Sequence, residues 1–580
     1  MDSAWSSYGK IDEAEQARLD ARRKTRRRIT IIVLSSIVLV AIIVAAVVGT
    51  AASRGGDSSS NGGAAPTVSD SIRTACKATL YPDSCYTSLY AMVTNSTSVN
   101  PQELAKLSVQ VAITELSKVS DRVSLLESQG KLDNVSALAL QDCITLMDLA
   151  MDHLNDTLNS TQLTALEAAD DLRTWLSAAG TCQDTCLVGL QNSSHSLQTQ
   201  MSQYTQNSTQ FISNSLALVT TISNIASSIK MRRRLMSSTS DHEDGIPLDP
   251  HPRWLSAADR KLLQKPASKI IPDIVVAQDG SGKYKTINAA LNAVPSKSKK
   301  RTIIYVKKGV YKEKVMVQSN KWNVMMIGDG MGATVVTGSL NFVDGTPTFQ
   351  SATFVVFGKG FIARDMGFRN TAGAIKHQAV ALLAHSDQSV FYRCRMEAYQ
   401  DTLYTHSLRQ FYRQCDILGT VDFIFGNAAV VLQDCNILAR LPLLGQENTL
   451  TAQGRFDPNQ NTGTTIQNCN IAAAENLKGT QTYLGRPWKV YSTTIFMESW
   501  LGSLVNPSGW LPWVGNTAPN TIFYAEYQNL GPGSPTKNRV KWKGLKLWLS
   551  ASQASKFTVN SFIGGGKWIY SAGVPYKGGL

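Results

Sequence analysis

A short motif recurring in the C-terminal half constrains this chain more than anything else in it. Val390-Phe-Tyr-Arg-Cys394, Gln410-Phe-Tyr-Arg-Gln-Cys415, Val430-Val-Leu-Gln-Asp-Cys435 and Thr465-Ile-Gln-Asn-Cys469 share one form, a short strand-like run closed by polar residues and a cysteine. The first three recur about every 20 residues, a solenoid period. From Ile274 onward the texture is short β-branched and aromatic runs broken by Gly, Asn and Asp. A right-handed parallel β-helix accounts for both, because each coil stacks on the last and like residues form ladders. Two states are open to the stacked cysteines: bridges Cys394–Cys415 and Cys435–Cys469, or free thiols buried in the core.

Helical signals precede the solenoid. Pro101-Gln-Glu-Leu104 opens a helix with apolar positions at Leu104, Leu107, Val111 and Ile113, and residues 134–154 and 162–176 keep the same rough period of 3.6. Residues 71–230 are therefore predicted as a small antiparallel helical bundle. In an oxidising compartment most of its cysteines pair. Cys76 and Cys85 form a natural local pair, Cys143 pairs with Cys182 or Cys186, and one cysteine is left over.

The N-terminus bears on the compartment. Arg22, Arg23, Lys24, Arg26, Arg27 and Arg28 precede Ile29–Val48, an uncharged run long enough to span a bilayer as a helix. Basic residues on that flank predict a cytosolic tail (1–28) and a signal anchor (29–48), with a cleaved signal peptide as the alternative. A Ser/Gly/Ala-rich linker (49–70) follows. Asn95, Asn134, Asn155, Asn159, Asn192 and Asn207 each have Ser or Thr two positions on, so glycosylation of a lumenal chain is expected. Residues 231–269 read as an exposed linker. They carry Arg232-Arg-Arg-Leu-Met236 and Arg260-Lys-Leu-Leu263, which suit processing proteases.

The net charge of +14 is uneven: from Gln264 onward there are about 34 Lys+Arg against about 17 Asp+Glu. A basic C-terminal half suits a polyanion, whether nucleic acid, an anionic membrane or an acidic polysaccharide.

Four segments carry the chemistry: Gln378-Ala-Val-Ala-Leu382, Gln400-Asp-Thr-Leu403, Asp422-Phe-Ile-Phe-Gly426 and Leu484-Gly-Arg-Pro-Trp488. Asp401 and Asp422 are 21 residues apart, one coil of the ladder, and Gln378 lies about one coil earlier. Stacked strands are about 4.8 Å apart, so the carboxylates fall near contact distance. Two such groups do not ionise together readily; one becomes an acid and the other keeps its charge. Arg486 is suited to hold the charged one, and Gln378 and Gln400 to donate to an oxyanion. The plainer reading of the paired Asp is turn chemistry at solenoid corners, and spacing alone does not decide between them.

Together these four segments resemble the plant pectin methylesterases. So do Gly309-Val-Tyr311-Lys-Glu313, Gly509-Trp-Leu-Pro-Trp513, and Tyr524-Ala-Glu-Tyr527 with Gly531-Pro-Gly533, and the likeness runs over residues 270–580. The helical region resembles the pectin methylesterase inhibitor family through Cys76, Cys85, Cys143 and Cys182. The resemblance implies that Asp422 attacks the methyl-ester carbonyl of a galacturonate unit while Gln378, with Gln400, stabilises the oxyanion. Asp401 would protonate departing methanol and then activate water, and Arg486 would hold Asp422 ionised. Gln378 and Arg486 would also touch substrate, and Tyr404, Phe423, Trp488 and Trp513 would line the sugar cleft. It further implies no metal or cofactor, and pectin rather than nucleic acid as partner. The precursor would be membrane-anchored, cut by a subtilisin-like protease and secreted to the cell wall. The helical region would restrain the enzyme until then, and separate inhibitor proteins are further partners of such a fold. One departure is visible: the family usually has Arg after Leu382, where this chain has Leu383, followed by His385. A lone His of this kind is more often a surface residue than a catalyst.

Competing readings differ in their requirements. A calcium-dependent lyase needs an acidic cluster that the sequence does not display. A glycosidase uses two carboxylates without flanking amide donors. A pectin-binding protein with a dead catalytic half would have lost one of Asp401, Asp422, Gln378 or Arg486, and all four are present.

Overall fold

The computed structural model describes residues 67–93, 99–128, 132–159, 166–237 and 271–580. The expected tail and anchor, most of the 49–70 linker, Asn95 and the second basic site at Arg260 lie outside them. Among the described residues no helix is long and apolar enough to cross a membrane.

From Ile274 the chain winds as a parallel β-helix of three sheets with eleven, seven and eight strands. The four cysteine motifs stack as predicted: Val390 pairs with Phe411, Phe411 with Val431, and Val431 with Thr465. The polar residue before each cysteine is the corner. Arg393, Gln414, Asp434 and Asn468 all have left-handed φ between 51° and 54°, a conformation that Asn and Asp tolerate better than most residues. Inside, aromatic side chains stack coil on coil, with the Phe391 and Tyr412 rings 4.8 Å apart.

Cys394, Cys415, Cys435 and Cys469 are free thiols, not bridges. At one position of successive in-register coils the Cβ vectors run parallel about 4.8 Å apart, whereas a bridge needs them turned together to about 3.8 Å. Each of the last three thiols instead accepts the backbone N–H of the preceding ladder cysteine at 3.4 Å.

The helical region comprises α1 (Val68–Cys76), α2 (Pro82–Met92), α3 (Pro101–Ser128), α4 (Asn134–Asn159), α5 (Leu166–Gly189) and α6 (His195–Ser237). It begins slightly earlier than residue 71, because Thr67 and Asp70 form a capping box at the start of α1. Asn100 caps α3 by accepting from Glu103 N at 2.8 Å, with Pro101 in the first turn. The buried stripe of α3 runs through Leu104, Ser108, Ala112, Leu116, Val119 and Val123, which leaves Leu107, Val111 and Ile113 on its half-buried flanks. Helix α6 continues through Ser237, so the basic cluster at Arg232 extends a helix instead of opening a linker at 231.

Cys76 bonds Cys85 as expected, and Cys143 bonds Cys186 with Cα atoms 4.6 Å apart. Of the two candidates Cys186 is the partner, so Cys182 is not bridged and is the left-over thiol. It lies one turn before Cys186 on the same helix, and only one of the two can stand level with Cys143 on α4. Asn134, Asn155, Asn159, Asn192 and Asn207 are all exposed.

Candidate active site

Strand alternation builds the site on the seven-stranded sheet. Leu382, Leu403 and Ile424 point into the solenoid core, while Leu383, Tyr404, Phe425 and Ala452 point outward. Phe423 lies before the strand Ile424–Gly426, directly after the left-handed corner at Asp422, and does not follow the alternation. It is fully buried in the solenoid core and does not line the cleft, which corrects its assignment; Phe425, two residues on, takes the outward place.

Asp401 and Asp422 lie two residues before the first residues of the strands Leu403–Ser407 and Ile424–Gly426. Both sit at left-handed corners, with φ of 64° and 53°. Both Asp thus serve as turn residues at solenoid corners, as the plainer reading expects. Leu403 pairs with Ile424, and Asp401 N donates to Val421 O at 3.1 Å, so the two Asp occupy adjacent coils. Ala379 N donates to Gln400 O at 3.2 Å, which sets Gln378 on the coil beside Gln400.

Asp422 is paired with Arg486, Nε to Oδ1 at 2.8 Å and Nη2 to Oδ2 at 2.6 Å. Asp401 is 2% exposed. Burial, and then the charge of Asp422, push its carboxyl well above the usual carboxylate range, with Arg486 pulling the other way. Asp401 Oδ2 and Gln378 Oε1 are buried with no hydrogen-bond partner among the described residues. The arrangement combines an ion-paired carboxylate, a buried carboxyl of raised pKa on the next coil, the Gln400 amide beside that carboxyl and the Gln378 amide one coil further. That is the equipment of nucleophilic acyl transfer with an oxyanion site.

An aromatic row flanks it. Tyr404 stacks on Phe425 at 4.1 Å, Phe425 faces Trp488 at 6.2 Å, and Trp488 faces Trp513 at 6.5 Å. The Arg486 guanidinium lies 4.3 Å from the Trp513 ring centre.

The bundle covers this face. Val355, Leu383, Tyr404, Phe425 and Ala452 join the bundle's own core in one apolar cluster. Leu383 is fully buried there. Helix α5 lies against the cleft: Lys489 Nζ meets Asp184 Oδ1 at 2.8 Å, Asn427 Nδ2 donates to Thr181 Oγ1 at 2.9 Å, and Thr185 Oγ1 bonds His406 Nε2 at 2.9 Å. Thr185 and Val188 close a cavity of about 330 Å³ over Tyr404, Phe425 and Trp488. His385 is not a surface residue. It is fully buried, with Nε2 2.8 Å from His153 Nε2 of α4 and Nδ1 2.8 Å from His406 Nδ1.

Sequence reasoning missed Thr449, whose hydroxyl donates to Asp422 Oδ1 at 2.7 Å. It lies 27 residues beyond Asp422 because that coil carries an extra loop, so the 20-residue period does not point to it. His153 and Asp184 were missed because nothing local marks a contact across the two halves.

The pectinesterase family model matches residues 273–566, and the plant invertase/pectin methylesterase inhibitor model matches residues 70–218. An Arabidopsis thaliana protein that carries both the pectinesterase and the pectinesterase-inhibitor names is 50% identical, over 99% of this chain and 100% of its own length. Pectinesterase 3 of Phaseolus vulgaris is 46% identical over 88% of this chain and 87% of its own. Among solved structures, a pectin methylesterase from carrot is 54% identical with a TM-score of 0.53, and it is covered over its whole length by 54% of this chain.

Proposed function

Because this chain belongs to the pectinesterase family, with an inhibitor-family region in front, we propose that Asp422 is the nucleophile with which it hydrolyses the methyl esters of pectin. The protein is a carboxylic ester hydrolase that releases methanol and leaves demethylated pectin. The stacking of Asp401 on Asp422, with the Arg486 fork on Asp422, supports the assignment of roles.

Asp422 attacks the ester carbonyl. Gln378 and Gln400 donate to the oxyanion, and each such donor lowers the barrier by about 3 kcal/mol. Asp401, protonated through burial, gives its proton to the departing methoxide, then takes one from the water that releases the acyl group. Tyr404, Phe425, Trp488 and Trp513 offer flat apolar faces for sugar rings, and the basic half suits the polyuronate.

The helical region acts as an inhibitor of the attached enzyme. Helix α5 lies where the polymer would bind, and the tether raises its effective concentration to about the millimolar range, so modest contacts suffice. A membrane-anchored, glycosylated precursor, cut by a subtilisin-like protease near Gln264 and delivered to the cell wall, completes this reading.

The test is to assay methanol release beside uronic-acid chain cleavage on methylated pectin. Methanol without chain cleavage supports esterase action. Chain cleavage, or neither product from the released half, contradicts it.

A further inference from the structure

We infer that Thr449 is a positioning residue that decides which oxygen of Asp422 attacks, and that this oxygen is Oδ2. The inference rests on the proposed role of Asp422 as nucleophile.

Thr449 belongs to the strand Asn448–Gln453, one coil beyond Asp422. Its hydroxyl accepts the Asp422 N–H at 2.8 Å and donates its own proton to Asp422 Oδ1 at 2.7 Å. One hydroxyl thus grips both the main chain and the carboxylate of the same residue. The main chain adds two ties: Thr449 N donates to Thr420 O, and Phe423 N to Thr449 O, each at 3.3 Å. Thr449 is 1% exposed, so water does not compete for these bonds. The grip falls where it matters most, because Asp422 is held in a left-handed conformation that a non-glycine residue adopts at a cost.

The two oxygens are left unequal. A carboxylate oxygen offers about two lone-pair sites. Among the described residues, Oδ1 accepts from both Thr449 Oγ1 and Arg486 Nε, whereas Oδ2 accepts from Arg486 Nη2. Oδ2 keeps the lone pair for attack. In the first step the Oδ2–C bond forms and the carbonyl π pair moves onto oxygen, facing Gln378 and Gln400. Collapse then breaks the C–OCH3 bond and the methoxide takes the Asp401 proton. The product is methanol, an anhydride on Oδ2 and an Asp401 carboxylate. Water then attacks the sugar acyl carbon and gives one proton back to Asp401, and the bond to Oδ2 breaks. Without the hydroxyl, the carboxylate is held by Arg486 alone and can rock out of line, which costs rate more than affinity.

The experiment compares Thr449→Val and Thr449→Ser for methanol release, in the full chain and in residues 270–580, the half that the carrot enzyme matches over its whole length. Val keeps the shape and removes the hydroxyl; Ser restores it. The expected result is a kcat loss of about tenfold or more in Val with KM within about twofold, and recovery of at least half of kcat in Ser. Should Val fail to fold, Thr449→Ala, which only removes atoms, replaces it. Val or Ala above half of wild-type kcat, a change confined to KM, or Ser as impaired as Val overturns the inference. Asp422→Ala runs alongside: if it stays active, the nucleophile assignment itself fails, and if it is dead while Thr449→Val is active, only the positioning role fails.

Discussion

Arg486 and Asp422, 64 residues apart in sequence, meet in a two-armed ion pair with arms of 2.8 and 2.6 Å. The fork matches the carboxylate plane, and Trp513 supports the guanidinium from below. A lysine supplies the charge without the fork. Arg486→Lys should therefore lower kcat roughly ten- to hundredfold, the equivalent of one hydrogen bond to a charged group. Steady-state methanol release checks this; a loss under about threefold would mean that charge alone suffices.

What was legible in sequence followed the ladder. Asp401, Asp422 and Gln378 were readable because consecutive coils there have nearly equal length. Thr449 was not, because the loop after Arg440 breaks the period. Phe423 was misplaced because its neighbour Asp422 faces the site, whereas the left-handed corner at Asp422 breaks the alternation there, so that Phe423 and Ile424 both enter the core and Phe425 faces outward. The choice of Cys186 over Cys182 depends on how α4 and α5 are set against each other, which no local pattern encodes. The burial of His385 comes from a partner 232 residues away.

The histidines at the seam give the covered state a pH dependence. Burial pushes His153 down to about 4 and His406 to about 3, and holds His385 well below its ordinary value of 6.5. Asp387 and Lys359 act on His153 in opposite senses. A lowered pKa in the covered state means that the contribution is present above about 6.5 and lost as pH falls below it. Asp142, raised to about 7, and Asp156, also raised, pull the other way. Asp148, Asp401 and Asp457 are raised as well. The histidines decide the sign, because they touch one another across the seam and take up protons at about 6.5 once uncovered, so that cover by the bundle weakens on acidification. The ratio of specific activities, full chain to residues 270–580, should rise between about pH 7 and pH 5. A flat or falling ratio contradicts this.

The thiol inventory is a second check. In denaturant without reductant, thiol titration should find five free cysteines, Cys182, Cys394, Cys415, Cys435 and Cys469. One free thiol would mean that the solenoid ladder is bridged after all.

Processing is read at the new N-terminus. The wall-bound protein should start near Gln264, just after Arg260-Lys-Leu-Leu263. A start after Met236 would favour the first basic site, and a start upstream of Arg232 would contradict release of the bundle at this boundary.

Methanol release by purified Asp422→Ala tests the central claim most directly. Asp422 is held by Arg486 and by Thr449. The variant, made in residues 270–580 and shown by circular dichroism to be folded, should release no methanol above background. Folded Asp422→Ala that kept more than a small fraction of wild-type activity would mean that another group attacks the ester.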